Sequence, residues 1–242
     1  MRLLFIVTRA AAAALILVAV ITQFAETVRT YQEHNPAMLF TAIGNYVSFF
    51  TIQSNVIGAG VLIAGVVLLC RGSTRDPRWF AILMAVATTY LLTTGIVYNL
   101  LLRDIQLPLR DSVRWANEVL HIAAPLYMLF ELAAGPYRRR LEWNTIALSL
   151  VYPAAWLVYT LVRGLFVTAP LTGEPWWYPY PFLDPHLSPL GYLRVSGFVA
   201  AIAVLIVVLA AAVVGYGRLL ARIRVGAPAS AAALPQVVHE RD

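Results

Sequence analysis

Stretches of eighteen or more mostly apolar residues recur along this chain, and that recurrence bounds the fold more tightly than any other feature. As an α-helix, each stretch is long enough to cross a hydrocarbon slab of about 30 Å, where no water satisfies a backbone N–H or C=O. Six can be drawn, approximately Arg9 to Val28, Asn45 to Cys70, Trp79 to Leu102, Trp115 to Gly135, Trp143 to Phe166 and Leu190 to Leu220. Hydrophobic residues make up 60% of the chain and charged residues 12%, too few charges to clothe a water-soluble surface. The expected fold is all-α: a polytopic membrane protein with a bundle of six transmembrane helices over residues 1–225. Residues 226–242, rich in Ala with two Pro, read as a disordered cytoplasmic tail. Arg2 precedes the first apolar run as in a secretory leader, but no small-residue cleavage site follows, so the run reads as a retained span.

Net charge is +6, and all 18 basic residues are Arg. Placing the N-terminus in the cytoplasm puts 12 of them inside, Arg2, Arg9 and Arg71 among them, and 6 outside, Arg29, Arg163 and Arg194 among them. Both termini are therefore expected in the cytoplasm. The excess positive charge is a topology signal with some attraction to anionic lipid, and it calls for no nucleic-acid partner. No nucleotide-binding glycine loop and no internal repeat stands out. The single cysteine, Cys70, has no disulfide partner and reads as a packing residue.

Polar residues inside spans are costly in hydrocarbon and should face protein. In the second span, Ser48, Thr51, Asn55 and Gly58 recur at helical spacing and form one polar, small-residue stripe. Such a stripe either knits helices together through hydrogen bonds or lines a site. The fourth span adds Asn117 and His121 on one face, with Glu118 beside them and Pro125 a turn deeper. His121 is the only histidine expected inside a span. A solitary His supplies neither paired haem ligands nor a metal set, so no cofactor and no metal is expected. Expected outside the spans are two longer connections, Thr30 to Gly44 with His34, and Val167 to Pro189 with His186. The second carries Trp176 to Pro185, an aromatic and proline-rich run suited to an interfacial belt, a lid, or both. Ser149, Tyr152, Trp156, Tyr159 and Arg163 line one face of the fifth span.

The second and fourth spans run in the same direction. Thr51 lies 19 residues from Cys70 and His121 lies 14 from Gly135, a height difference of about 7 Å at helical rise. The two can meet. A threonine hydroxyl becomes a nucleophile when a neutral histidine nitrogen takes its proton, so Thr51 and His121 form a candidate dyad. Asn55 and Asn117, one turn from each, are candidate oxyanion donors. Arg194 either binds a carboxylate or lipid phosphate or snorkels to the headgroups. Tyr98 and Asn99, at the end of the third span, complete the polar set.

These residues bring out a resemblance. Phe50-Thr51-Ile52-Gln53-Ser54-Asn55, Gly95-Ile96-Val97-Tyr98-Asn99, Trp115 to His121, and the Tyr178 to Pro185 loop together resemble the bacterial six-span Pr6Pr family. That family is distantly similar to the androgen-induced and androgen-dependent TFPI-regulating membrane proteins. The resemblance covers most of the chain. It implies an inner (plasma) membrane protein and an intramembrane threonine hydrolase acting on fatty acid esters of hydroxy fatty acids, with Thr51 as nucleophile and His121 as base. Its partner is then a membrane lipid or fatty acid ester. From the residues alone, a lipid carrier with the same cavity and no turnover, or a structural subunit, remain alternatives.

Overall fold

The computed structural model describes residues 2–73, 75–103, 105, 113–136 and 140–225, with side chains to residue 220. Every regular element among them is helical. α1 is Arg2–His34, α2 Leu39–Ser48, α3 Phe50–Cys70 and α4 Arg78–Val97, the last running on into a π-helical turn, Tyr98–Leu102. α5, Arg114–Glu118, passes through a second π turn, Val119–Ala123, into α6, Ala124–Ala134. α7 is Asn144–Gly164 and α8 Tyr192–Val225. Five helical segments are long and apolar enough to cross a membrane: Arg2–His34, Phe50–Cys70, Arg78–Leu102, Asn144–Gly164 and Tyr192–Leu220. The expected fourth span is the π-interrupted run of α5 and α6. The expected tail, 226–242, lies outside the described residues, as do Arg110, Arg138 and Arg139.

Two expectations need correction. Asn45 to Cys70 is not one helix: the chain turns extended at Phe49 (φ −65°, ψ 127°), ending α2 at Ser48 and starting α3 at Phe50. Ser48 therefore leaves the stripe of Thr51, Asn55 and Gly58, bonding instead to the Gly44 carbonyl and Tyr159. Nor is Thr30 to Gly44 a loop. α1 runs to His34, and after Asn35 a 3₁₀ turn, Pro36–Met38, leads straight into α2.

Sequence periodicity explains the packing. On α1 the buried positions Phe5, Arg9, Ala13, Ile16 and Ala19 recur every three or four residues, the spacing of one helix face. That face meets α3, whose Gly65 leaves room for the Arg9 side chain, while Gly58 on α3 lies against Leu91 of α4. α4 lies between α3 and α8 and also touches α6, while α7 packs on α8. The centre is closed by Ala59, Leu62, Leu91, Leu120 and Met128, all fully buried. The outside is equally apolar: Val151 and Val158 on α7, and Val204 and Val208 on α8, are more than half exposed. Apolar inside and out, such a bundle is built for lipid.

Arg9 is buried on α1 and grips Glu131 of α6 through both carboxylate oxygens, Nε–Oε1 at 2.8 Å and Nη2–Oε2 at 2.9 Å. Tyr127 donates to Glu131 Oε1 at 3.0 Å, and the guanidinium lies over the Phe5 and Phe80 rings. The Gly65 backbone makes room for it, since a Cβ there would sit 2.7 Å from Nη1. Cys70, at the end of α3, is exposed and not a packing residue.

Removing one partner of a buried pair strands the other charge. Glu131→Ala is therefore expected to destabilise the protein by about 3–5 kcal/mol, whereas Arg9→Met combined with Glu131→Leu recovers most of that loss. Unfolding of the purified variants in detergent measures both.

Candidate active site

The polar residues of the α3 and α5 faces converge at one end of the bundle, where α3 begins and α4 ends. Thr51 Oγ1 lies 3.3 Å from His121 Nε2, and both side chains are buried. The break at Phe49 puts Thr51 in the first turn of α3, where backbone N–H groups have no carbonyl a turn earlier to bond and the helix dipole is positive. The Thr51 N–H finds the Tyr180 hydroxyl at 3.2 Å, and that hydroxyl also lies 3.2 Å from Thr51 Oγ1.

His121 sits inside the second π turn, a form of helix concentrated at functional sites. Its Nδ1 is 2.9 Å from the Asn117 carbonyl. A carbonyl only accepts, so in the neutral ring Nδ1 carries the proton and Nε2 presents its lone pair to Thr51. The donors then run in one direction: Thr51 O–H to His121 Nε2, Tyr180 O–H to Thr51 Oγ1, and Thr51 N–H to the Tyr180 oxygen. The Tyr98 ring stacks on the imidazole at 3.9 Å between centroids, and its hydroxyl accepts from the Asn117 amide at 2.5 Å. Asn117 thus fixes His121 twice, once through its carbonyl and once through Tyr98.

The expected oxyanion donors are otherwise engaged. Asn55 spends its amide N–H groups on the Thr51 carbonyl at 2.9 Å and the Leu120 carbonyl at 3.2 Å, tying α3 to the π turn; its Oδ1 is buried without a partner among the described residues. Asn117 is turned to Tyr98. Asn99 is exposed, donating to the Gly95 carbonyl and accepting from Arg103. Arg194 stands apart over the Phe198 ring, 5.5 Å from its centroid. The structure thus brings Thr51, His121, Asn55, Asn117 and Tyr98 together and leaves Asn99 and Arg194 at the margin.

Tyr180 is the participant that spacing alone does not single out. It belongs to the Trp176 to Pro185 run, which folds inward: Tyr178, Tyr180, Phe182 and Leu183 are buried. The Trp177 N–H bonds to the Gly164 carbonyl at 3.0 Å, and burial holds the Tyr178 phenol above its usual range, so it stays neutral. Across the α2–α3 break, α7 supplies Trp156 to the Ser48 carbonyl, Tyr152 to Gln53 and Arg163 to Asn45. The aromatic face of α7 is thereby a brace for the break. Among the described residues, no group of three His, Cys, Asp or Glu is placed to hold a metal.

Fold and site together define a multi-pass helical membrane protein with a buried Thr–His–Tyr cluster at one end of its bundle. No protein-family model, no curated protein and no solved structure shows significant similarity to the chain.

Gly95 holds the cluster's geometry. A Cβ there would lie 2.9 Å from Pro125 Cγ and 3.0 Å from the His121 carbonyl oxygen, so α4 and the π turn approach this closely only because the position is bare. Gly95→Ala should cost about 1–3 kcal/mol as overpacking, read as a lower melting temperature in detergent. It should also move His121, read as a changed ¹⁵N imidazole spectrum. An unchanged spectrum would show that the π turn does not depend on this contact.

Proposed function

We propose that this chain is a six-span membrane protein of the inner (plasma) membrane, both termini cytoplasmic, that hydrolyses a lipid ester. Thr51 is the nucleophile and His121 the general base. One observation carries the reading: His121 Nδ1 bonds to a carbonyl, which leaves Nε2 as an acceptor facing the Thr51 hydroxyl. The tautomer, the stacked Tyr98 ring and the π turn, brought together at one buried residue, support this reading over that of a bundle needing only helix-to-helix hydrogen bonds. The 3.3 Å separation is long for a hydrogen bond, as catalytic pairs often are before substrate tightens them. The resemblance to the Pr6Pr family, and through it to the threonine hydrolases of fatty acid esters of hydroxy fatty acids, points the same way and suggests that substrate class.

In this reading, Thr51 Oγ1 attacks the ester carbonyl while its proton passes to His121 Nε2. The same proton then goes to the leaving alcohol, and water, activated by His121, releases the acid. Thr51, His121 and Tyr180 are all buried, so substrate enters when the loop carrying Tyr180 lifts. With the N-terminus inside, the site lies in the outer half of the membrane and the Arg9–Glu131 pair in the inner half.

The test is labelling of purified protein by a fluorophosphonate probe together with hydrolysis of a long-chain fluorogenic ester. Wild type is expected to label and turn over. Thr51→Ala and His121→Ala are expected to fold yet lose at least about 10³-fold of the rate. A wild-type protein inert toward several ester classes would overturn the hydrolase reading and favour a lipid carrier.

A further inference from the structure

We propose that Tyr180 is the oxyanion donor of this site, which makes the loop between α7 and α8 part of the catalytic machinery and more than a cover. The inference rests on the hydrolase reading of Thr51 and His121.

Attack on an ester places negative charge on the former carbonyl oxygen, and a donor already held beside the reacting oxygens stabilises that charge. The amides nearest Thr51 are engaged: Asn55 with two carbonyls, Asn117 with Tyr98. Among the described residues, the side-chain donor within hydrogen-bond distance of the attacking oxygen that is not so engaged is the Tyr180 hydroxyl, at 3.2 Å. The Thr51 N–H can only donate, so the Tyr180 oxygen accepts there; with the Thr51 proton turned to His121, Thr51 Oγ1 is open to accept from the Tyr180 O–H.

As Oγ1 bonds to the acyl carbon, its proton moves to His121 Nε2 and the carbonyl π pair moves onto the carbonyl oxygen. The new oxyanion is attached to the carbon that Oγ1 has just joined, so the Tyr180 O–H reaches it by a small swing from one oxygen to the next. The Thr51 N–H and the positive end of the α3 dipole lie alongside. Collapse returns the pair to the carbonyl and expels the alcohol, which takes the His121 proton. Addition of water repeats the cycle, and Thr51 leaves with the proton.

The phenol is held for this work. Its ring stacks on Phe182 at 5.1 Å and 8°, meets Phe49 edge-on at 5.6 Å, and lies 6.0 Å from Trp156. Pro179 and Pro181 flank it and restrict the backbone. Chemistry and loop closure are then one event, because a lifted loop removes the donor.

Tyr180→Phe keeps every ring contact and deletes one oxygen. Measured on full-length protein with the fluorogenic ester, kcat is expected to fall about 10²-fold, with KM and melting temperature little changed. A kcat within about threefold of wild type, with Thr51→Ala inactive, overturns the role of Tyr180 and leaves the hydrolase reading standing. An inert wild type overturns the hydrolase reading itself. If Tyr180→Phe folds poorly, 3-fluorotyrosine at position 180 serves instead. Its more acidic hydroxyl should hold the neutral rate and bring the alkaline limb of the pH–rate profile to lower pH, since an ionised phenol no longer donates. An unmoved limb overturns the proposal.

Discussion

A helix that stops leaves backbone N–H and C=O groups without partners of its own, and the break at Phe49 creates that demand beside the Thr51–His121 pair. Ending α2 at Ser48 and restarting at Phe50 frees carbonyls on one side and N–H groups on the other. The neighbours that satisfy them organise this end of the molecule. Trp156 takes the Ser48 carbonyl, the Gln53 amide takes the Val47 carbonyl, and the Phe49 carbonyl accepts from both Ile52 and Gln53. The Thr51 N–H is left to Tyr180. In an unbroken helix that N–H would bond to Val47, and the inward fold of the loop would lose its anchor.

The opposite end is fixed by a different device. Gly65, which makes room for Arg9, lies fourteen residues below Thr51 on α3, about 21 Å along the helix. Between the two polar layers stand Leu62, Leu91, Leu120 and Met128, without solvent contact. An ion pair buried this deeply stabilises little compared with a well-packed apolar substitute, but it punishes misregister severely. Sliding α1 against α6 by a turn would strand both charges. The pair therefore sets register at one end while the α2–α3 break and its braces set it at the other. His121 and Glu131 share the continuous run of π turn and α6, so the lock at one layer also fixes the height of the imidazole at the other.

The sequence makes some of this legible and hides the rest for physical reasons. Apolar runs at helical length are visible because lipid demands them, and Thr51 and His121 stand out because polar side chains at that depth are rare. The break at Phe49 is hidden: Asn45 to Cys70 holds no proline, and Phe49 is no more a helix breaker than Phe50. Arg9 and Glu131 are 122 residues apart, and nothing local marks either as a partner. Asn55 and Asn117 look like oxyanion donors by spacing alone; their committed partners, the Leu120 carbonyl and Tyr98, lie on other elements. Tyr180 is masked by its company, since a run of tyrosine, tryptophan and proline reads first as an interface belt.

The two π turns meet at the histidine, and its ring takes contacts from both helices. A π turn widens the helix and skews its hydrogen-bond ladder, and His121 Nδ1 reaches back to the carbonyl four residues earlier. The other π turn begins at Tyr98, on the neighbouring helix, and the two rings stack. Side chains cross between the two helices: Asn117 of α5 donates to the Tyr98 hydroxyl, while Asn99 lies 3.5 Å from the His121 carbonyl. Irregular backbone at this depth survives only where protein supplies the missing partners. Pairing two irregular turns across one contact meets that condition, and it holds an imidazole whose tautomer and ring plane are set by its neighbours.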